Sequence, residues 1–310
     1  TRRRSGEPVQ EIARGLSFPE GPVALDDGAL LVVEIAGGRL TRIAPDGMTS
    51  TVAQLGGGPN GAALGPDGRC YVCNNGGFAW RERNGVRLPV GPAQDYAGGS
   101  IQAVDLVTGK VERLYERCGE QLLRGPNDLV FDRGGGFWFT DHGHVRGRVR
   151  DRGAVYYARP DGSSIVEAIF PVETPNGIAL SPDERTLYVA ETMTGRLWAW
   201  SLDGPGRIAQ RGRNLLGGTG HLVYGAGGFQ LFDSMAVDAD GNIFLGSVPG
   251  AILVISPQGE LVQRIPMPEH YATNLCFGGP DLTSLYVTLS STGRVIAFTG
   301  PWRGMKPNFS

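Results

Sequence analysis

The sequence predicts an all-β fold, a six-bladed β-propeller with four-stranded blades around a central channel, on three observations. One phrase is repeated six times along the 310 residues. Its copies begin near Phe18, Gly58, Gly125, Thr174, Phe232 and Ala272, 40 to 67 residues apart, a period that marks a repeat architecture before any count of domains. The 49 glycines and 21 prolines suit many short strands joined by tight turns, and no amphipathic stretch is long enough for a helix.

The copy at 174–192 is the clearest, TPNGIALSPDERTLYVAET. A Pro-Asn-Gly turn opens it, because Pro presets a turn and Asn and Gly adopt conformations that β-branched residues avoid. Two short apolar runs follow, separated by a second polar turn, which is the signature of paired strands. The other copies read FPEGPVALDDGALLVVE, GPNGAALGPDGRCYVCN, GPNDLVFDRGGGFWFTD, DSMAVDADGNIFLGS and TNLCFGGPDLTSLYVTL. Each unit has room for about four strands, so residues 1–310 are expected to form one propeller domain.

In chain order, Arg2, Arg3 and Arg4 are expected to be a solvated terminus. Residues 9–13 read as a strand standing ahead of the first repeat. Its natural partner is 294–298 in the last repeat, a pairing that closes the ring and removes an exposed edge. The second repeat carries an insertion at 78–99 before outer strands at 100–105 and 110–115. The third carries a polar insertion at 142–153. In the fourth, Trp198 and Trp200 alternate with Ala199 and should face one side, packed between neighbouring sheets. A Gly-rich loop at 217–228 precedes the fifth.

Composition excludes several classes. A net charge of −2 with acids and bases interspersed draws neither nucleic acid nor membrane, and no apolar run approaches the ~20 residues of a membrane span. Cys70, Cys73, Cys118 and Cys276 are too sparse for a disulfide framework. With no apolar leader ahead of Pro8, the expected setting is cytoplasmic. Cys70 and Cys73, three apart in a strand, point to opposite faces and make no zinc pair. Gly56, Gly58 and Gly61 spell the dinucleotide fingerprint, but with no following helix they are a turn. No Gly-x-Ser-x-Gly elbow or Cys-His signature is present, which argues against covalent Ser or Cys hydrolysis.

Aligning the repeats places Glu20, Asn60, Asn127, Asn176, Asp233 and Asn274 in one column. In a propeller this column becomes a ring at one mouth of the channel. Asn and Asp are common in turns for local reasons, but six oxygen-bearing side chains in register are not explained that way. Converging carboxylates and amides would be left repelling and unpaired without a cation. A hard divalent ion, Ca²⁺ first, resolves this with oxygen ligands; Zn²⁺, Mn²⁺ and Mg²⁺ are alternatives. Asn75, His142, His144 and His270 stand where loops could reach the mouth.

FPEGP, GPNDLVFD, TPNGIALSPD and DSMAVDADGNIF resemble the motifs of the SMP-30/gluconolactonase family, related to diisopropylfluorophosphatase-like enzymes, over essentially the whole chain. The resemblance implies a six-bladed propeller with one catalytic divalent ion that hydrolyses lactones or phosphate esters. By motif, Glu20, Asn176 and Asp233 resemble the family's common protein ligands. Asn127 resembles a residue that ligates the metal in some members and contacts substrate in others. Asp233 is expected to be the base, and Asn75, His142, Asn60 and Asn274 to line the substrate. The sugar-lactonase branch carries Arg two residues before the PND Asn; here that place is Gly125, with Arg124 before it, which leaves the lactone open. An organophosphate or other ester hydrolase on the same metal, and a non-catalytic propeller that binds a ligand or protein, remain alternatives.

Overall fold

The computed structural model describes residues 9–209 and 220–309. Among them the secondary structure is strands, with one short 3-10 turn at Ser290–Thr292. Six antiparallel sheets form the blades of a β-propeller. Their inner strands are Pro19–Ala24, Pro59–Leu64, Pro126–Phe131, Pro175–Leu180, Leu231–Val237 and Ala272–Gly278. The sixth blade takes its outer strand from the start of the chain: Gln10–Ala13 pairs antiparallel with Arg294–Thr299.

The second strand of each blade reads as a continuous apolar run because both of its faces are buried. Successive side chains point to opposite faces, so each strand feeds two cores. In the first blade Leu31 and Val33 pack toward the second blade, while Leu30 and Val32 pack toward the sixth. Tyr71 and Cys73 face the third blade, and Cys70 and Val72 the first. The two cysteines therefore lie in different cores. Burial pushes the Cys70 thiol up to about 12. Trp198 and Trp200 share the core between the third and fourth blades, their ring centres 6.4 Å apart. The hydrophobic clusters fall between neighbouring blades all the way round, including the sixth against the first, where Ala13, Leu16 and Val295 meet Leu30 and Ile43.

Two segments differ from the sequence reading. Residues 78–99 form a hairpin of their own, Phe78–Arg83 paired with Val86–Pro92. Of the loop expected at 217–228, the residues 217–219 lie outside the described residues, as do Arg2, Arg3 and Arg4, but His221–Gly225 is a strand that pairs with Arg196–Gly204. Its glycines stand at its ends, and the run between them pairs along the outer side of the fourth blade.

The C-terminal residues cross the far end of the channel as a strap. The N–H of Gly304 donates to Leu282 O at 2.7 Å and that of Met305 to Val237 O at 3.1 Å. Asn308 Nδ2 then reaches Phe131 O at 3.0 Å and Glu184 Oε1 at 2.7 Å. The strap ties the fifth and sixth blades to the third and fourth. Gly304 is needed for its approach, since a Cβ there would stand 2.1 Å from Phe277 Cβ.

Removing residues 1–14 should expose the edge of Arg294–Thr299 and uncover Leu30 and Ile43. The expected outcome is a melting temperature lowered by several degrees, at about 2–4 °C per kcal/mol for a chain of this class. Differential scanning calorimetry checks it, and an unchanged transition would show that this edge contributes nothing.

Candidate active site

Each inner strand carries one extra residue at the same height. In the second blade Pro59 faces Asn74 and Ala62 faces Val72, so three steps on one strand match two on its partner. The same shift follows Glu20, Pro126, Pro175, Phe232 and Ala272. A β-bulge re-aims side chains and bends the strand. Here it sits at Glu20, Asn60, Asn127, Asn176 and Asp233; in the sixth blade the register puts Thr273 at that place and Asn274 one residue on, level with Asp128, which corrects the column read from the sequence.

Glycine lets neighbouring inner strands close on one another at this height. A Cβ on Gly21 would lie 2.7 Å from Asn60 O and Ala62 N. One on Gly61 would lie 2.6 Å from Asn127 O, and one on Gly177 2.7 Å from Asp233 O. Hydroxyls join the other blades: Thr140 Oγ1 donates to Asn176 O at 2.6 Å and Ser290 Oγ to Pro19 O at 2.6 Å.

The loop leading into each of the first four inner strands is held by an acceptor at the end of that blade's second strand. Glu34 Oε2 accepts from Ser17 N at 2.6 Å, and Asn74 Oδ1 from Gly58 N at 2.9 Å. Asp141 accepts from Arg124 N at 2.7 Å and Gly125 N at 2.6 Å, and Glu191 Oε1 from Glu173 N at 3.0 Å. These buried side chains end the runs LLVVE, CYVCN, FWFTD and LYVAE. Sequence reading passed over them, although an acidic or amide residue closing an apolar run was the available signal.

Glu20, Asn60, Asn127, Asn176 and Asn274 are buried and Asp233 is half-buried. Burial, and then the Asp233 carboxylate, raise the Glu20 carboxyl well above the usual range, while bonds from Thr273 and Asn274 oppose the shift. Burial pushes Asp233 up to about 7 against a bond from Asn176. A third buried carboxylate, Asp128, raises both and is itself held at about 7 by burial. Sequence reading missed Asp128. The signal was its place, directly after the column residue, where the first, second, fourth and fifth copies carry Gly or Ser and the sixth carries Asn274.

The interactions bring Glu20, Asp128, Asn176, Asp233 and Asn274 together. Asn127 Oδ1 is buried with no partner. Asn274 departs from its expected part as an oxygen donor, because its Oδ1 accepts from Leu275 N at 2.7 Å and its amide turns its N–H group toward Glu20. Among the described residues no three of His, Cys, Asp and Glu cluster as a metal group, so an ion here must take amide oxygens as well. Buried like-charged carboxylates beside an orphaned amide oxygen fit a hard cation.

The second-strand ends lie at the same mouth. Asn75 N donates to Gly58 O at 2.8 Å, its Oδ1 accepts from Gly77 N at 2.8 Å, and its Nδ2 is buried and unpartnered. His142 N donates to Gly125 O at 2.9 Å, and burial holds its imidazole down to about 4, neutral at pH 7. His144 is buried with Nε2 donating to Asn75 O at 2.8 Å. His270 is exposed. A side chain at Gly125 would meet Gly143 at 3.0 Å, so the 142–153 insertion fills that place. Below the ring, a cavity of about 580 Å³ runs to the strapped end, with Asp128 and Asn274 at its inner wall.

The family profile described as "SMP-30/Gluconolactonase/LRE-like region" matches residues 18–291, from the FPEGP motif to the turn after the last second strand. The chain belongs to the SMP-30/gluconolactonase/LRE-like family. It is 29% identical over 308 residues to a gluconolactonase of Zymomonas mobilis, covering 91% of this chain and 79% of that one. It is 31% identical over 270 residues to lactonase drp35 of Staphylococcus saprophyticus, covering 85% and 74%. Two solved structures share the fold: the gluconolactonase XC5397 of Xanthomonas campestris, with TM-score 0.74, 23% identity and 94% and 89% covered, and the calcium-binding protein regucalcin of Agrobacterium tumefaciens, with TM-score 0.73, 18% identity and 99% and 97% covered. Among the described residues no helix is long and apolar enough to cross a membrane.

The raised carboxyls set a pH dependence. Asp128 and Asp233 bind protons up to about 7 in the folded chain, against about 3.9 when unfolded. Metal-free protein should therefore lose stability as pH rises from about 4 to about 7. Above that window Ca²⁺ should restore it, by ~2.7 kcal/mol at a hundredfold excess over Kd. Melting curves in chelator and in Ca²⁺ across pH 4–8 check this, and a flat chelator profile with no response to Ca²⁺ would count against the site.

Proposed function

We propose that this family member is a metal-dependent lactonase, with a small-molecule lactone as its substrate and one divalent cation, Ca²⁺ first, as its cofactor. The observation that carries the reading is the mutual influence of the Glu20 and Asp233 carboxylates, with Asn127, whose Oδ1 is unpartnered, in register on the third inner strand. A scaffold that only binds a partner through its faces has no use for buried carboxylates that repel one another. The relatives named gluconolactonase and lactonase support the reaction class.

Glu20, Asn127, Asn176 and Asp233 would hold the ion. Bound there, a divalent cation polarises a carbonyl oxygen and stabilises the charge that develops on it. The chain does the rest. Burial raises the Asp233 carboxyl to about 7 in the metal-free chain; a cation beside it would lower it, leaving the carboxylate ionised and able to accept a proton. It accepts a proton from the water whose oxygen bonds to the lactone carbonyl carbon. As the ring C–O bond breaks, the same carboxyl returns the proton to the departing alkoxide, giving the open hydroxy acid. Asp128 keeps Asp233 basic by like charge. Thr192 Oγ1 accepts from Asn176 Nδ2 at 3.1 Å and holds that amide in orientation. Asn75 Nδ2 is a free donor for substrate at the mouth, with His142 at the root of the third-blade insertion, Asn60 in the ring wall and Asn274 one residue below it.

Asp233→Asn keeps an oxygen ligand but removes the base, so kcat on a lactone should fall at least ~10²-fold with much of the cation affinity retained. Asn176→Ala removes a ligand and should be partly rescued by raising Ca²⁺. Steady-state kinetics across a Ca²⁺ series, on lactones and on phosphotriesters, separates these effects. Wild-type turnover by Asp233→Asn with metal bound would reduce Asp233 to a ligand.

A further inference from the structure

Three second-strand ends project at the same mouth as Glu20. Asn74 pairs with Pro59, Asp141 with Pro126 and Leu289 with Ala272, so whatever follows them rises beside the start of an inner strand. The hairpin Phe78–Arg83 and Val86–Pro92 follows the first of these. Its second strand packs against the Ser290–Thr292 turn of the sixth blade and against Val145–Arg146 in the third-blade insertion. The second blade neighbours only the first and third in the ring. To reach the sixth, the hairpin must pass over the first blade's end of the mouth, above Glu20.

Its inward face is aromatic. Phe78 and Trp80 are two apart and share a face, while Arg81 and Arg83 take the other. Trp80 lies 4.9 Å from Phe18, two residues ahead of Glu20, and Phe78 lies 5.3 Å from His144. Tyr96 extends the row at 4.6 Å from His144. Phe78, Trp80 and Tyr96 remain half-buried, so part of each ring stays open. Phe78 and Trp80 meet no charged side chain in their ring contacts, the Arg146 guanidinium standing at Tyr96 at the other end of the row, and burial holds the His144 imidazole down. Hydroxyls turned toward Phe78 and Trp80 would find no partner there, whereas an alkyl or aryl group would lose only water.

We infer that the 78–92 hairpin is a roof over the ring that selects lactones bearing an apolar alkyl or aryl substituent, with Trp80 as its principal contact. This rests on the lactonase reading for the reaction but on the aromatic row alone for the selection. Trp80 is a specificity residue, since nothing places it on the reacting atoms.

The test compares three lactones, δ-valerolactone, an alkyl-substituted δ-lactone and gluconolactone, on the wild type, Trp80→Ala and Trp80→Phe. A parallel arm measures equilibrium binding of an alkyl-substituted lactam and a polyhydroxylated lactam, neither of which is hydrolysed. The wild type should favour the alkyl lactone over gluconolactone by at least ~10-fold in kcat/KM. Trp80→Ala should cost ~10-fold or more on the alkyl lactone, mainly through KM, leave δ-valerolactone within about 2-fold, and be largely restored in Trp80→Phe. Equal loss on all three lactones, or no preference by the wild type for the alkyl lactam, would overturn the roof. If no lactone is opened while the alkyl lactam binds in a Trp80-dependent way, the hydrolytic reading falls and the roof stands.

Discussion

A side-chain acceptor that ends the second strand of a blade, gripping backbone N–H groups ahead of the first, is the interaction on which the site depends. Glu34, Asn74, Asp141 and Glu191 each bridge 16 to 18 residues in this way. Each bond fixes where the chain turns into the channel, and with it the height of the bulge that aims the ring residues inward. A carboxylate that accepts several backbone N–H groups is rigid and expensive to disturb. Asp141, with Arg124, Gly125 and Gly143 all donating to it, positions both the Asn127 strand and the root of the His142 loop.

The ring itself is electrostatically costly in the metal-free chain. Glu20, Asp128 and Asp233 act on one another through their charges, with no Lys or Arg among the groups that shift them. Such a cluster is tolerated only because the apolar cores between the blades hold the inner strands in place. Polar strain at the axis and apolar packing around it are two halves of one arrangement.

The two ends of the channel are closed by different means. At the far end a backbone strap is pinned through Leu282, Val237 and Phe131, so it belongs to the fold. At the ring end the cover is a two-stranded hairpin with few backbone ties to the blades. Isolated hairpins are marginal in water, and this one is seated by Trp80 on Phe18 and Phe78 on His144. Access and selectivity are thereby placed in the segment where substitution disturbs the blades least.

The blade pattern was legible in the sequence because the forces behind it are local. A Pro-Asn-Gly turn, an apolar run and a second turn each act within a few residues, and six copies in register state the symmetry outright. Glu20 and Asp233 could be found by alignment alone, since register along one strand type decides which side chains meet. Asp128 could not, because a bulge, invisible without the partner strand, turns the residue after Asn127 toward the axis as well. Asn274 looks like a member of the column in the sequence, but pairing with the second strand shifts it one place on, level with Asp128, where its oxygen accepts from Leu275 N as Asp128 accepts from Leu129 N. The strand at His221–Gly225 was hidden by its glycines and appears only through pairing with Arg196–Gly204. The roof was hidden most deeply: Trp80 and Phe18 are far apart in the chain, and only the closed ring carries the hairpin across the first blade to the turn at Ser290–Thr292. Periodicity thus determined the blades and most of the ring by itself. Which oxygens stay free, and what covers them, depends on contacts between distant segments and was decided by the tertiary structure.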